Sequence, residues 1–255
     1  MNRKFRNKVR SREFLLGTWA TTSDPAMMEA MGQSDLEFII IDAEHGPYSP
    51  ETLQTCLMAL TPYPVGVFVR VGSLEPIDLM RPLDMGADGI IIPRVNSAEE
   101  VEHIVRWTRY PPIGVRGYGP RRAASYCRFE KEYVAASEDH IAIVPMVETA
   151  GAAKELEKMA AVPGIDGLLV GRNDLSGSIG LEWQPTHPTV MGIVERVVKA
   201  CADNGIASGI ASGYTHENVR VWDEMGLTMV AAGLDYEWMK IAADDLASYE
   251  RLPRG

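Results

Sequence analysis

"GIIIPRVNSAEEVEHIVRWTRY", residues 89–110, carries one complete unit of the fold. Gly89 to Ile92 is an apolar run without alternation, the mark of a strand buried on both faces. The chain breaks at Pro93, and Ser97 with Glu100 three residues later has the spacing of a helix capping box. The same grammar repeats on either side. Apolar, β-rich runs begin at Leu15 (LLGTWA), Phe38 (FIIID), Gly66 (GVFVRV), Ile141 (IAIVPMVE), Gly167 (GLLVG), Ala207 (ASGIAS) and Met229 (MVAAGLD). Helix signals stand between them: Asp24 then Pro25, Ser49 then Pro50, and the stretches GAAKELEKMAAVPG, HPTVMGIVERVVKACADNG and THENVRVWDEMG. Eight strands alternating with helices predict a (β/α)8 TIM barrel, an α/β fold occupying one domain over residues 1–255. A doubly wound open sheet is the structural alternative, but no Gly-rich dinucleotide fingerprint follows the first strand.

Composition narrows the function. The chain is 46% hydrophobic, with a formal net charge of −10 and a pI of about 5.0. That balance argues against nucleic acid or an anionic membrane as partner. An anionic substrate must therefore be met by a local positive site. No apolar run is long enough to suggest a membrane span. Cys56, Cys127 and Cys201 are far apart and form no C-x-x-C, which fits a reducing cytoplasm and argues against disulfides or a zinc–thiolate site. Arg3, Lys4, Arg6, Lys8, Arg10 and Arg12 crowd the start of the chain. The apolar stretch behind them is interrupted at Gly17 and Thr18, so a basic surface helix is expected there, not a signal peptide. The interval from Gly89 to Ile141 is roughly twice the usual strand spacing and holds RYPPIGVRGYGPRRAASY. A long loop of this kind is functional or an oligomer contact; its arginines, Arg116 to Arg122, suit either an anion clamp or a subunit interface.

In barrels of this type the active site lies at the C-terminal ends of the strands. Those ends carry Trp19; Asp42, Glu44 and His45; Arg70; Arg94 and Asn96; Glu148; Arg172, Asn173 and Asp174; and Asp235. Polar groups beside apolar runs are costly unless they are paired or bind something. Each has a plain structural reading: a hydrogen-bonded His45, a helix-capping Glu148, an Asx-turn at Asp174, an ion pair at Arg70. Their arrival at one rim favours shared chemistry. Glu148 and Asp174 lie 26 residues apart, one strand–helix unit, so they close consecutive strands. Two carboxylates with open coordination positions suit a hard divalent ion that keeps waters and takes substrate oxygens. The other histidines, His103, His140, His187 and His216, are read as surface residues.

The segments GTWATTSDP, IIIDAEHGP, VRV, DMGADGIIIPRV, RGYGPRRA, PMVETAGA and VGRNDLS resemble the class II pyruvate aldolases, the HpcH/HpaI aldolase and citrate lyase β family. The resemblance runs from about residue 13 to residue 240. It implies a carbon–carbon lyase that cleaves a 4-hydroxy-2-oxo acid reversibly to pyruvate and an aldehyde, using a divalent metal cation (Mg2+, Mn2+ or Co2+). It implies Glu148 and Asp174 as metal ligands, and His45, supported by Asp42, as the acid/base group acting through a metal-bound or ordered water. Arg70 would hold the pyruvyl keto oxygen, and backbone amides around Gly171, Arg172, Asn173 and Asp174 the carboxylate. Trp19 would line the mouth. Asp84 would reach an active-site rim, that of a neighbouring subunit. The family's final helix is exchanged between subunits, often in hexamers. DYEWMKIAADDLASYERL would be that helix in a homo-hexamer or trimer of dimers.

The chemistry agrees with these roles. Retro-aldol cleavage leaves an enolate whose charge sits on the keto oxygen, where a metal cation and an arginine both stabilise it. A histidine oriented by a carboxylate suits removal of the C4 hydroxyl proton. No strand ends in lysine, so Schiff-base chemistry is not expected. Two positions depart from the hydroxy-oxo-heptanedioate enzymes: Met146 replaces a glutamine, and Arg172–Asn173 replace the common Pro-Ala. A different range of acceptor aldehydes is expected. An oxaloacetate decarboxylase, a citramalyl- or malyl-CoA lyase, and a non-catalytic binding barrel remain alternatives.

Overall fold

The structure, a computed structural model, describes residues 5–249. Eight parallel strands close into a barrel in chain order: β1 (Leu15–Ala20), β2 (Phe38–Asp42), β3 (Gly66–Arg70), β4 (Gly89–Ile92), β5 (Ala142–Val147), β6 (Gly167–Val170), β7 (Ala207–Ser212) and β8 (Met229–Leu234). Each begins where its apolar run predicts, except β5, which starts one residue after Ile141. The reason for continuous runs is visible in β2. Phe38 and Ile40 point into the barrel, with Phe68 and Met229, while Ile39 and Ile41 face the helices, with Met28 and Leu57. Both faces are dry, so neither tolerates a polar residue.

The helices around the barrel are α2 (Pro25–Gly32), α3 (Pro50–Leu60), α4 (Pro76–Asp84), α5 (Ala98–Thr108), α6 (Glu130–His140), α7 (Ala150–Ala160), α8 (Arg172–Ser178), α9 (Pro188–Asp203), α10 (His216–Glu224) and α11 (Asp235–Ala247), preceded by α1 (Phe5–Ser11). Their caps follow the sequence signals. Asp24 accepts the Ala26 and Met27 N–H groups ahead of α2, and Ser49 closes a box with Thr52 at α3. At α5, Ser97 accepts the Glu100 N–H, but the Glu100 carboxylate reaches back to the Asn96 N–H at 2.6 Å. Among the described residues no helix is long and apolar enough to cross a membrane.

Helix α1 is not the surface helix expected from its basic residues. Phe5, Arg6 and Val9 are buried, and the helix plugs the N-terminal end of the barrel. Gly66 has to be glycine for this, since a Cβ there would lie 2.1 Å from the Phe5 ring. Arg6 Nε donates to buried Asp166 at 2.7 Å. Residues 1–4 of the basic segment lie outside the described residues.

The long interval between β4 and β5 also packs away from the mouth. Arg116 is buried, 2.6 Å from Asp84 at the C-terminal end of α4, with its guanidinium over Tyr110 at 4.7 Å. Arg122 donates to Met85 O and Thr61 Oγ1, just beyond the ends of α4 and α3. These arginines supply no clamp to this chain's own mouth. Helix α11 buries only Asp235 and exposes Tyr236, Met239 and Leu246. An apolar cavity of about 380 Å³, lined by Phe14, Leu16, Val219, Ala232 and Trp238, adjoins it.

Candidate active site

The parallel register sets Asp42, at the end of β2, opposite Arg70, at the end of β3. Arg70 donates Nε to Asp42 Oδ1 at 2.8 Å and a terminal N–H to Oδ2 at 2.5 Å, a bidentate fork. Its guanidinium carbon lies 4.6 Å from the centre of the Trp19 ring. Asp42 Oδ1 also accepts the backbone N–H groups of Glu44 and His45, each at 3.2 Å. The Asp42 carboxylate therefore grips Arg70 and shapes the turn, and forms no ion pair with the His45 imidazole it was expected to support. The acid beside that ring is Glu44, with Oε2 at 3.8 Å from Nε2. Glu44 also lies 3.3 Å from Arg70 and accepts Arg94 Nε at 3.0 Å. Burial alone would pull the Arg70 guanidinium down, but its hydrogen bonds to Asp42 and the charges of Asp42, Glu44 and Glu148 hold it above its ordinary value. His45 is 59% exposed and open to a ligand.

Glu148 follows β5, and Asp174 sits in the first turn of α8. Thr149, not Glu148, caps α7, so the Glu148 carboxylate is free for the mouth. Its Oε1 accepts the Arg94 N–H at 2.6 Å. Burial pushes its carboxyl up to about 7; the Arg94 N–H opposes this, while the nearby charges of Asp174 and Glu44 add to it. Glu44, His45, Arg94, Glu148 and Asp174 face one cavity of about 200 Å³. Gly171 packs close against Glu148: a Cβ there would stand 2.6 Å from Glu148 Oε2 and 3.0 Å from Met146 Cε. Among the described residues no group of three or more His, Cys, Asp or Glu forms a ready-made metal cluster. Two hard oxygen donors in a cavity where carboxylates repel one another fit a divalent cation of the magnesium or manganese kind, with water and substrate in the other positions.

Comparison with known proteins decides the family. The family model described as HpcH/HpaI aldolase/citrate lyase matches residues 15–240. The chain belongs to the HpcH/HpaI aldolase/citrate lyase family. It is 31% identical over 250 residues to a 4-hydroxy-2-oxo-heptane-1,7-dioate aldolase of Escherichia coli, covering 97% of this chain and 95% of that one. It is 32% identical over 251 residues to a hydroxypyruvate/pyruvate aldolase of Cupriavidus necator, covering 97% and 92%. A crystal structure of an HpcH/HpaI aldolase/citrate lyase family protein from Burkholderia cenocepacia superposes with a TM-score of 0.91 at 30% identity, over 96% of this chain and 98% of that one. The protein is thus a carbon–carbon lyase, a class II aldolase.

The aldolase has a second cavity of about 360 Å³ that shares His45 and Asp174 with the first and extends toward β7 and β8. Trp19, Arg70, Arg172, Asn173, Ser212 and Glu237 line it. Ser212 and Glu237 went unmarked in the sequence, since a lone serine closing ASGIAS and an acid one turn into a helix carry no motif. The role of Glu44 as hub between Arg70, His45 and Arg94 was likewise unmarked, although its place in the D-x-E-H block was a signal. Half-buried Arg172 has its guanidinium 4.6 Å from the Trp222 ring, and burial pulls its pKa down. Asp84 is not with the others. It ends α4, which runs back to the N-terminal face of the barrel, and binds Arg116; burial raises its carboxyl despite that arginine. Asp235 serves the scaffold, accepting the N–H groups of Thr21 and Thr22 at 3.0 and 2.8 Å and their hydroxyls at 2.6 Å. His103 and His216 are exposed as expected, but His140 and His187 are half-buried. His187 Nδ1 caps α9 by accepting the Thr189 N–H.

Proposed function

We propose that this aldolase binds a divalent cation between Glu148 and Asp174 and cleaves 4-hydroxy-2-oxo acids reversibly to pyruvate and an aldehyde. The observation that carries the reading is the meeting of those two carboxylates with His45 in one cavity, beside an Arg70 already fixed on Asp42 and Trp19. The cation, Mg2+, Mn2+ or Co2+, would supply a Lewis acid for the keto oxygen. Arg70 aims its remaining N–H groups at that oxygen and stabilises the enolate as charge develops. Asp42 is a positioning residue for Arg70. The backbone amides at Gly171 to Asp174 hold the carboxylate, and Trp19 walls the pyruvyl group.

His45 takes the C4 hydroxyl proton. The C3–C4 bond then breaks: C4 becomes the aldehyde carbonyl carbon and the bonding pair goes to C3 as the enolate of pyruvate. A proton delivered to C3 gives pyruvate. In reverse, C3 loses the proton and adds to the aldehyde, and the new alkoxide takes the proton from His45. Glu44 Oε2 stands 3.8 Å from the imidazole Nε2.

Two further parts of the reading concern assembly. The exposed apolar side chains of α11 and the adjoining apolar cavity support a homo-oligomer, a hexamer or trimer of dimers, in which α11 is exchanged between subunits. In such an assembly Asp84 would serve the rim of a neighbouring site. Three free cysteines fit the cytoplasm.

The test is pyruvate release from a panel of 4-hydroxy-2-oxo acids, with and without EDTA, then with each metal restored, oxaloacetate included. Turnover that disappears with EDTA and returns with metal is expected. Turnover untouched by EDTA removes the roles given to Glu148 and Asp174, and cleavage of oxaloacetate alone makes the enzyme a decarboxylase.

A further inference from the structure

Arg172 stands apart from the other arginines. Among the described residues, those that are not exposed all end on oxygen acceptors: Arg6 and Arg109 on Asp166, Arg70 on Asp42, Arg116 on Asp84, and Arg122 on Met85 O, Leu57 O and Thr61 Oγ1. Arg122 and Arg172 pair with no carboxylate, and of the two only Arg172 lacks a short hydrogen bond: one terminal N–H reaches Pro185 O at 3.4 Å. Its Nε is buried without a partner, as are those of Arg109 and Arg116, but those two arginines are held by Asp166 and Asp84. Glu237 lines the same cavity as Arg172 yet forms no ion pair with it.

The side chain is nevertheless held. Its flat face rests on the Trp222 ring at 4.6 Å, and the indole is fixed by its Nε1–H donating to Ser212 Oγ at 2.7 Å. A guanidinium stacked by its face keeps its edge for acceptors lying in its plane. Ser212, whose oxygen accepts from Trp222, keeps its own proton to donate. Arg172 and Ser212 thus give the β7 side of the larger cavity a wall of donors without an acid to satisfy them. A partly desolvated cation without a counter-charge is costly to the free protein, and a ligand that brings the counter-charge removes that cost. The cavity adjoins the Glu148–Asp174 cavity through His45 and Asp174, and reaches past the Trp19 and Arg70 proposed to hold the pyruvyl group to β7 and β8, with room for more than that group.

We propose that Arg172 receives an anionic group, carboxylate or phosphate, on the acceptor half of the substrate. The proposal rests on the aldolase reading of the same mouth. The anion lies in the plane of the guanidinium, bridged to its edge and to the Ser212 hydroxyl. The enzyme then selects aldehydes that carry such a group over neutral aldehydes of the same length.

The test compares kcat/KM for pyruvate addition to two anionic acceptors, succinic semialdehyde and glycolaldehyde phosphate, with two neutral ones, butyraldehyde and glycolaldehyde. The metal-loaded wild type is measured beside Arg172→Met and Arg172→Lys. The anionic-to-neutral ratio should fall by about 10- to 100-fold in Arg172→Met and recover in part in Arg172→Lys. The acceptor that loses more identifies carboxylate or phosphate as the group received. Calorimetric titration of succinate into the pyruvate-loaded protein reads the same contact without turnover, and Arg172→Met should weaken it about tenfold or more. A wild-type ratio near one, or a ratio and succinate affinity unchanged by Arg172→Met in a folded protein, overturns the proposal. Exchange of the pyruvate C3 protons with deuterated solvent reports the aldolase reading separately. Its absence with every metal would sink that reading, while the succinate titration would still judge Arg172.

Discussion

Both ends of the barrel bury an aspartate among arginines, and only one end holds the candidate site. At the N-terminal end Asp166 accepts Arg6 and Arg10 at 2.7 and 2.8 Å and the Ile143 N–H at 2.9 Å, with Arg109 at 3.6 Å. Arg109 donates its two terminal nitrogens to Ile141 O and Gly164 O. Helix α1 then closes that end with Phe5, packed edge-on to Phe68 at 5.1 Å. At the mouth Asp42 and Arg70 make an equally close pair, but no helix covers them. Around them Glu44, Glu148 and Asp174 are held near one another, and burial, with the charges of Asp174 and Glu44 adding to it, pushes the Glu148 carboxyl up to about 7. The difference teaches that a buried ion pair does not mark a site. A site is marked by polar groups kept unsatisfied beside an opening.

Asp166→Ala should show the largest effect. It strands Arg6 and Arg109 in a dry interior, and breaking such a pair costs about 3–5 kcal/mol. Denaturant unfolding should lose that much, while kcat of the folded fraction stays within about twofold, the scatter of a remote change. A fall in kcat at unchanged stability would break the contrast between the two ends.

At the mouth the same kind of pair should behave in the opposite way. Arg70→Met introduced into an Asp42→Asn chain removes both charges together, so no ion is stranded. Pyruvate formation should then fall by about 10²–10³-fold relative to Asp42→Asn alone, the loss expected of one preorganised charge on an enolate. Thermal unfolding should move by only a few degrees, roughly what 1 kcal/mol gives in a chain of this length. Large destabilisation with little loss of rate would make Arg70 a scaffold residue like Arg6.

Asp235 sharpens the comparison, because it sits at the mouth and serves the scaffold. Burial would raise its carboxyl, but the hydroxyls of Thr21 and Thr22 and the N–H groups of Thr22 and Tyr236 hold it below the ordinary value. An acid with a depressed folded pKa contributes stability above its unfolded value, about 4, and loses it as pH falls through the folded value. Asp235→Asn should therefore cost roughly 2 kcal/mol at neutral pH, the worth of hydrogen bonds to a charged group. The gap from wild type should narrow as pH falls below the unfolded value and through the depressed folded one. A gap independent of pH would mean that the charge plays no part.

These contrasts explain what could be read from the chain alone. Strands buried on both faces have to be apolar throughout, so their starts and their polar ends were legible, down to Asp42, Arg70 and Glu148. Local caps such as Asp24 and Ser49 were legible for the same reason: their partners lie within three residues. Contacts set by distant register were not. The choice of Arg70 over the His45 ring by Asp42 depends on β2 lying beside β3 in one register. The plug formed by α1 depends on a partner 160 residues away, so Arg6 had the look of a surface residue. Asp84 was placed at a rim by motif, and only the direction of α4 shows that it belongs to the other end of this chain.

Gly171→Ala should give the smallest effect, and it separates the metal site from the fold. The new methyl group would meet Glu148 Oε2 at 2.6 Å and Met146 Cε at 3.0 Å, both far ends of side chains, and Glu148 Cβ at 3.1 Å, which has less freedom to give. The backbone at Gly171 has φ −100°, which alanine adopts without strain. Stability should thus fall by only about 1 kcal/mol, the low end of overpacking. As the proposed ligand Glu148 would not turn aside freely, however, because Oε1 is pinned by the Arg94 N–H at 2.6 Å. Displacing Oε2 would tilt the carboxylate about that anchor. Metal affinity should fall about tenfold, the low end of what disturbing the support of a ligand costs. Titrating Mn2+ into the metal-free protein and following its bound fraction by electron paramagnetic resonance measures this directly. An unchanged affinity would mean that Oε2 does not face the cation, and that Glu148 binds through one oxygen or not at all.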